Sequence, residues 1–343
     1  MTSRLREEAL QAPAVIAAQV ASDGPRYAEF GRALRAAPPQ GILTLARGSS
    51  DHAAHYAAYL VMARLGRLVT SLPMSLLTLY GARLRSQGLL ALAFSQSGQS
   101  PDLVAATREL AARGAATAAF VNDTASPLAH AAQWVFGLQA GVERCVAATK
   151  SFVAQAVAGA RLVAAWQDDT ALEAAIAALP PTLEAALAHE RAWCDAALPV
   201  LHEAERLYVI GRGTGLAIAL EAALKLKEVC GLHAEAMSGA ELRHGPLALV
   251  EPGFPLLVFA PRGPAQAPLL ALAGELRERG AQVLLAAPEG TPHAPLPLVT
   301  TAEPDLDPIA AIAPFYVMAE ALARARGRDP DAPPHLSKVT RTR

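Results

Sequence analysis

Residues 42–48 read ILTLARG and residues 207–213 read LYVIGRG, and each run is an apolar segment that ends in a glycine. Each is followed by an alanine-rich stretch of helical character that ends in a second glycine, Gly66 in one case and Gly231 in the other. A short apolar run, a glycine turn and then a helix is typical of a parallel β-sheet covered by helices. Because this pattern occurs twice, the sequence predicts two copies of an α/β fold.

The two copies keep a constant spacing along the chain. Four pairs of residues are each separated by 165 positions: Gly48 and Gly213, Gly66 and Gly231, Phe94 and Phe259, Gly98 and Gly263. One residue further in register, ELAARG at 109–114 corresponds to ELRERG at 275–280. Because the matches share one offset and fall between strands and turns, they indicate a duplicated unit that reads strand–helix–strand–strand–helix–strand.

The predicted domain organisation follows from this repeat. Each copy should be a mainly parallel, doubly wound, flavodoxin-like sheet flanked by helices. The predicted segments are an N-terminal helical segment (1–39), a first domain (40–166), a helical linker (167–204), a second domain (205–328) and a proline-rich tail (329–343).

Composition excludes several classes of function. The chain has 343 residues, with 30 Lys and Arg against 31 Asp and Glu, so a net charge of −1 gives no overall attraction to nucleic acid or anionic membranes. Its three cysteines are scattered, which predicts neither a disulfide framework nor a zinc site. We expect no signal peptide, no membrane span and a cytoplasmic location.

The loop after the second apolar run of the first copy reads SQSGQS at 95–100 and precedes Pro101. Ligands bind at the carboxyl ends of parallel strands, and hydroxyls with backbone amides at a helix start suit a phosphate dianion. Gly48 and Ser49-Ser50 can join the same site. The other interpretation is ordinary helix capping, which needs one serine. The corresponding loop at 261–268, PRGPAQAP, has no hydroxyl, so a phosphate is expected in the first copy only.

The helix predicted after Gly213 carries three charged residues at intervals that match the helical repeat. Glu221, Lys225 and Glu228 stand at i, i+4 and i+7, so they share one face of an otherwise apolar helix. They could be catalytic, or they could form a solvent-exposed ladder of ion pairs. His244 precedes a Gly-Pro turn in a polar segment, where a functional role competes with a structural one.

Two other motifs carry less information. The run GRGTG at 211–215 lacks the GxGxxG spacing because residue 216 is leucine, so neither an organic cofactor nor a metal is predicted. Thr149 and Lys150 could cap the following helix or reach a sugar hydroxyl, and the sequence leaves both possibilities open.

Taken together, the motifs resemble the SIS (sugar isomerase) domain family. Within it, the chain is similar to the isomerase half of glucosamine-6-phosphate synthase and to stand-alone type II glucosamine-6-phosphate deaminases. The segments that carry this resemblance are ARGSS (46–50), SQSGQS (95–100), ATK (148–150), LEAALKLKE (220–228), HAEAMSGAELRHGPLAL (233–249) and HLSK (335–338).

The resemblance implies a set of site residues. Glu228 would move a proton between C1 and C2, with Lys225 beside it, and His244 would assist ring opening. Lys338 would form an imine with the open-chain sugar or orient it. The phosphate ligands would be Ser50, Ser95, Gln96, Ser97 and Ser100, and Val146, Ser337 and Ser49 would contact the sugar. The family's histidine comes from the partner subunit, so the resemblance also implies a homodimer.

The implied activity is conversion of glucosamine 6-phosphate into fructose 6-phosphate and ammonia, without a cofactor, nucleic acid or membrane. About forty residues precede the first sheet, so no glutaminase domain is expected, and Ala148 replaces a serine of the synthase pattern. The alternatives are a fructosamine-6-phosphate deglycase, the isomerase part of an aminotransferase-type synthase without its glutaminase, and a non-catalytic sensor of sugar phosphates.

Overall fold

The computed structural model describes residues 2–338, which fold into two compact units, each built around one five-stranded sheet. The first unit contains residues 14–143 and 150–177, together with residues 337 and 338 of the tail. The second unit contains residues 2–13, 144–149 and 178–336.

The sheet of the first unit is parallel throughout, with strand order β2-β1-β3-β4-β5. Its central strand β3 is almost completely buried, as expected for a sheet that has helices on both faces. The strands are β1 (Gly41–Leu45), β2 (Val69–Ser71), β3 (Leu89–Ser95), β4 (Ala116–Val121) and β5 (Trp134–Gly137).

The sheet of the second unit is also parallel and has the order β10-β9-β8-β6-β7. Read from its other edge, this order is the same as that of the first sheet. The strands are β6 (Arg206–Gly211), β7 (His233–Ser238), β8 (Pro255–Phe259), β9 (Gln282–Pro288) and β10 (Leu296–Leu298).

Helices cover the sheets and form the N-terminal segment and the linker. Numbered in chain order, they are α1 (Arg4–Leu10), α2 (Ala12–Ala21), α3 (Gly24–Ala36), α4 (Ser49–Leu65), α5 (Ser75–Thr78), α6 (Pro101–Ala112), α7 (Pro127–Ala131), α8 (Lys150–Gln167), α9 (Thr170–Ala177), α10 (Leu179–Leu187), α11 (Glu190–Leu201), α12 (Gly215–Cys230), α13 (Gln266–Glu278) and α14 (Asp307–Ala325).

The segment Pro304–Ala325, which contains α14, is long and apolar enough to cross a membrane by composition alone. Its most apolar window is 94% buried inside the protein, which identifies it as a core helix. The helix also contains two acids, Asp307 and Glu320, and both are buried.

The prediction of two tandem α/β domains with mainly parallel sheets is confirmed. The shared strand order reproduces the sequence repeat, and even the helix ends correspond. Gly66 ends α4 with a φ of 63°, and Gly231 ends α12 with a φ of 61°, a left-handed conformation that favours glycine. Each sheet also has a fifth strand, β5 or β10, that the predicted six-element unit did not include.

Candidate functional site

A cavity of about 350 Å³ opens in the first unit, where β1 and β3 end. All five residues predicted to bind phosphate line it, and so does Lys338 from the tail. The helix α6 begins at this cavity with Pro101, which has no N–H, and the N–H of Leu103 donates to Asp102 Oδ1 at 2.9 Å. An anion at this position would therefore meet the positive end of the helix dipole and the serine hydroxyls. The complete lining is Arg47, Gly48, Ser50, Phe94, Ser95, Gln96, Ser97, Ser100, Leu103 and Lys338.

The serine loop is shaped by its own side chains. Gly98 donates its backbone N–H to Ser95 Oγ at 3.0 Å, and Gln99 donates to Ser97 Oγ at 3.2 Å. Both oxygens act as acceptors here, so their hydroxyl hydrogens can point towards a ligand. Ser100 occupies the N-cap position of α6, but its side chain makes no capping hydrogen bond. Capping alone therefore does not account for the serines of this loop.

Arg47 is a cavity residue that the sequence reasoning missed. It follows β1 directly, and its Nε and Nη2 donate to Asp102 Oδ2 at 3.1 and 3.0 Å. Asp102 is 2% exposed and is the second residue of α6. The available signal was a basic residue immediately before Gly48 at a strand end, which is a usual place for a ligand-binding side chain.

The tail lysine is fixed at the cavity by a buried acid. Lys338 Nζ donates to Glu143 Oε2 at 2.8 Å. The carboxylate of Glu143 also accepts hydrogen bonds from Ser151, at 3.1 Å from the backbone nitrogen and 2.7 Å from the hydroxyl. The Glu143 side chain is 0% exposed, so a buried charge is compensated by a lysine and by hydrogen bonds. No sequence pattern linked Glu143 to Lys338.

In the second unit, α12 holds the predicted charged stripe. Lys225 Nζ lies 3.5 Å from Glu221 Oε1 and donates a hydrogen bond to Glu228 Oε2. Tyr316 donates its hydroxyl to Glu221 Oε1 at 3.3 Å. Glu221 and Lys225 are buried, whereas the Glu228 side chain is 19% exposed. The interpretation of these residues as a solvent-exposed ladder is therefore wrong, because Glu221 and Lys225 are buried in a helix that packs against α14 and the sheet.

This arrangement has a chemical consequence. Burying a lysine and a carboxylate costs several kcal/mol of desolvation free energy. This cost is similar in size to the attraction between the two charges. The ammonium of Lys225 fixes the one carboxylate of the group that solvent can reach, that of Glu228. A partly exposed acid with a fixed orientation is suited to proton transfer.

His244 also lies in the second unit. It is the last residue of a 3-10 turn formed by Glu241–His244, and it is exposed. It lines a second cavity of about 350 Å³ together with Arg212 and Arg243. Arg243 donates to Glu275 Oε2 at 2.5 Å, and this hydrogen bond is the main reason why the pKa of Glu275 is lowered.

The remaining predicted residues are distributed over both units. Val146 is half-buried in the second unit, within a segment whose backbone amides at Arg144 and Cys145 donate to the Glu8 carboxylate. Ser49 is the first residue of α4 and is half-buried in the first unit, and Ser337 in the tail is exposed.

Comparisons with known proteins agree with this architecture. The family model of the SIS domain matches residues 37–165 and 200–297. The glutamine–fructose-6-phosphate aminotransferase [isomerizing] of a Thermus thermophilus strain is 33% identical over an alignment of 324 residues, and the match covers 90% of this chain and 53% of that protein. The chain thus spans about half the length of the curated relatives it matches.

Solved structures share this fold over almost all of the chain. A structure from Silicibacter pomeroyi DSS-3, provisionally named as a phosphosugar isomerase, is 42% identical with a TM-score of 0.87 and covers 96% of this chain and 100% of that one. Glucosamine-6-phosphate deaminase from Thermotoga maritima has a TM-score of 0.75 over 98% of this chain and 100% of that one. Its identity of 22% makes this a likeness in fold alone.

Proposed function

The chain belongs to the SIS domain family, and from that premise we propose that it converts glucosamine 6-phosphate into fructose 6-phosphate and ammonia. The observation that carries this proposal is the cavity of the first unit, where Ser50, the serine loop and Lys338 surround a space of about 350 Å³. A volume of this size accommodates a hexose phosphate, and the serine hydroxyls at the start of α6 suit its phosphate.

The proton transfer is assigned to Glu228. After ring opening, Glu228 removes the proton from C2 of the aldehyde form and returns it to C1. The result is an alcohol at C1 and an imine at C2. One carboxylate can serve both carbons because they are adjacent and the intermediate between them is planar. The ion pair with Lys225 supports this role, because it fixes the carboxylate before the substrate arrives.

Water then adds to the C2 imine, and the amine leaves as ammonia, which yields the ketone of fructose 6-phosphate. Lys338 stabilises the developing oxygen charge or exchanges with the imine. His244 assists ring opening, and Val146, Ser337 and Ser49 contact sugar hydroxyls. The proposal includes a homodimer in which His244 acts in the partner's site, and a cytoplasmic location.

A second candidate is supported by the curated relatives, which are aminotransferases of the isomerizing type. In that case the same proton transfer runs from fructose 6-phosphate and ammonia towards glucosamine 6-phosphate. The two candidates share every residue named above and differ in the direction of the reaction and in the source of nitrogen.

The test is a substrate panel with the purified protein. Ammonia released from glucosamine 6-phosphate, galactosamine 6-phosphate and a fructosamine 6-phosphate is measured by coupling to glutamate dehydrogenase, with free amino acid measured for the last. Release of ammonia from glucosamine 6-phosphate supports the deaminase. Formation of glucosamine 6-phosphate from fructose 6-phosphate and ammonia at a rate well above that of ammonia release from glucosamine 6-phosphate supports the second candidate. Binding of fructose 6-phosphate with no turnover of any substrate would reject both.

A further inference from the structure

Arg47 has an unusually well-fixed position for a side chain at the mouth of a cavity. Two of its guanidinium nitrogens donate to one oxygen of Asp102, at 3.1 and 3.0 Å. The other oxygen of Asp102 accepts the backbone N–H of Leu103 at 2.9 Å. Because Asp102 is buried and bonded on both sides, it sets the direction of the guanidinium.

The ion pair with Asp102 does not use the whole guanidinium. The Arg47 side chain remains 52% exposed, and the residue lines the cavity beside Ser50 and the serine loop. Its third nitrogen, Nη1, has no hydrogen-bond partner within residues 2–338. A planar group whose one edge is fixed by a carboxylate can present its remaining donors to an anion with little loss of side-chain entropy.

The second copy of the fold offers an internal comparison. Arg212 stands 165 residues after Arg47 and also precedes a glycine, but the residue that corresponds to Asp102 is Ala267. Arg212 is exposed and forms no ion pair in the described part of the chain. Among the described residues, an arginine at this position, directly after the first strand, is therefore paired with an acid of the following helix in the first copy and not in the second.

We propose that Arg47, positioned by Asp102, binds the phosphate of the substrate and makes this site select a doubly charged phosphate over a singly charged group of the same shape. The inference rests on the proposed function, because it names how the same site recognises its substrate class. Hydroxyls and amides bind either kind of anion, whereas a guanidinium adds an attraction that grows with the charge of the ligand.

The test compares fructose 6-phosphate with a hexose 6-sulfate by calorimetry at pH 8 and constant ionic strength. The second pKa of a phosphate ester is about 6, so at pH 8 the phosphate carries two charges and the sulfate one. Wild-type protein should prefer the phosphate. Arg47→Gln should weaken phosphate binding by about tenfold or more and sulfate binding by less, so that the ratio of the two Kd values falls.

Two further variants separate positioning from folding. Asp102→Asn keeps the arginine and removes the charge that orients it, so the phosphate-to-sulfate preference should fall part of the way. Arg47→Lys keeps the charge and should retain part of the preference. Arg32→Gln removes an exposed arginine of α3 and should leave both Kd values unchanged. Melting temperatures of all variants identify any loss of folding.

Equal weakening of phosphate and sulfate binding in Arg47→Gln would overturn the inference, and so would no weakening of either. A wild-type protein that binds neither ligand would overturn it as well. The readout is binding and needs no turnover. A protein that prefers phosphate through Arg47 but releases no ammonia would therefore reject the deaminase and keep this assignment.

Discussion

Arg262 donates two hydrogen bonds to Asp307, from Nε to Oδ2 at 2.7 Å and from Nη2 to Oδ1 at 2.8 Å. Arg262 stands 165 residues after Ser97, in the loop of the second copy that corresponds to the serine loop. Thr301 adds donors to the same Asp307 oxygen from its backbone and hydroxyl, each at 2.8 Å. The hydrogen bonds that Arg262 donates to Asp307 are also the main reason why the pKa of Arg262 is raised. In the second copy, the positive charge of this loop, on Arg262, is therefore paired with the buried carboxylate of Asp307.

Asp307→Asn should lower the free energy of unfolding by about 2 kcal/mol, because the buried acid loses its charge and Arg262 loses its partner. The estimate is below the usual cost of breaking a fully buried pair, because a third of the Arg262 side chain is exposed. Urea denaturation measures the change. Glu278→Gln, an exposed acid on α13, is the control and should leave stability unchanged. Equal stability of both variants would contradict a structural role for Asp307.

Gly98→Ala should damage the phosphate loop. Gly98 has a φ of +64°, and a Cβ there would lie 2.1 Å from Ser126 Oγ and 2.5 Å from Ser126 Cβ. We expect a loss of about 2 kcal/mol or more in stability, together with much weaker binding of fructose 6-phosphate. Thermal unfolding with and without the ligand measures both effects.

The matched control for this variant is Gly274→Ala. Gly274 lies inside α13, and no atom stands within 4 Å of the Cβ that alanine would add. Alanine should therefore stabilise the helix by up to about 1 kcal/mol and leave ligand binding unchanged. If both glycine variants behaved alike, the close contact with Ser126 would not be the cause.

Glu143→Gln should reduce turnover more than binding. Glutamine keeps the size of the side chain and can still interact with Ser151, but it loses the ion pair that fixes Lys338. A catalytic amine that is misplaced by about 1 Å can cost up to about 100-fold in rate, so kcat should fall by at least tenfold with a smaller change in KM. Steady-state kinetics on the preferred substrate of the panel test this. Glu29→Gln, on the exposed side of α3, is the control. A change in KM alone would show that Glu143 does not act through the lysine.

Glu228→Gln should abolish the proton transfer and leave phosphate binding intact. The loss of a general base typically lowers kcat by about 10²–10⁴-fold. Fructose 6-phosphate should still raise the melting temperature of the variant, because the cavity of the first unit is unchanged. Lys227→Gln on the exposed face of the same helix is the control and should keep full activity. Full turnover by Glu228→Gln would assign the transfer to another residue.

Much of the fold could be predicted because it depends on patterns among residues that are close together in the sequence. Glycines repeat at one offset at strand and helix ends, and apolar runs mark most of the strands. The serine loop was visible for the same reason, since its hydroxyls are consecutive in the chain and follow a strand. The strands β5 and β10 were not predicted. β10 reads LPL, and a proline inside a short apolar run argues against a strand.

The sequence alone determined that this protein has two related parallel sheets and that only one of them carries a hydroxyl-rich loop at its strand ends. Only the tertiary structure decided which charges meet. Arg47 and Asp102 are 55 positions apart, and Glu143 and Lys338 are 195 positions apart. It also decided that Glu221 and Lys225 are buried, because helical spacing shows which residues share a face but not what covers that face. The physical reason is that strand and helix periods depend on neighbouring residues, whereas ion pairs and burial depend on packing between distant segments.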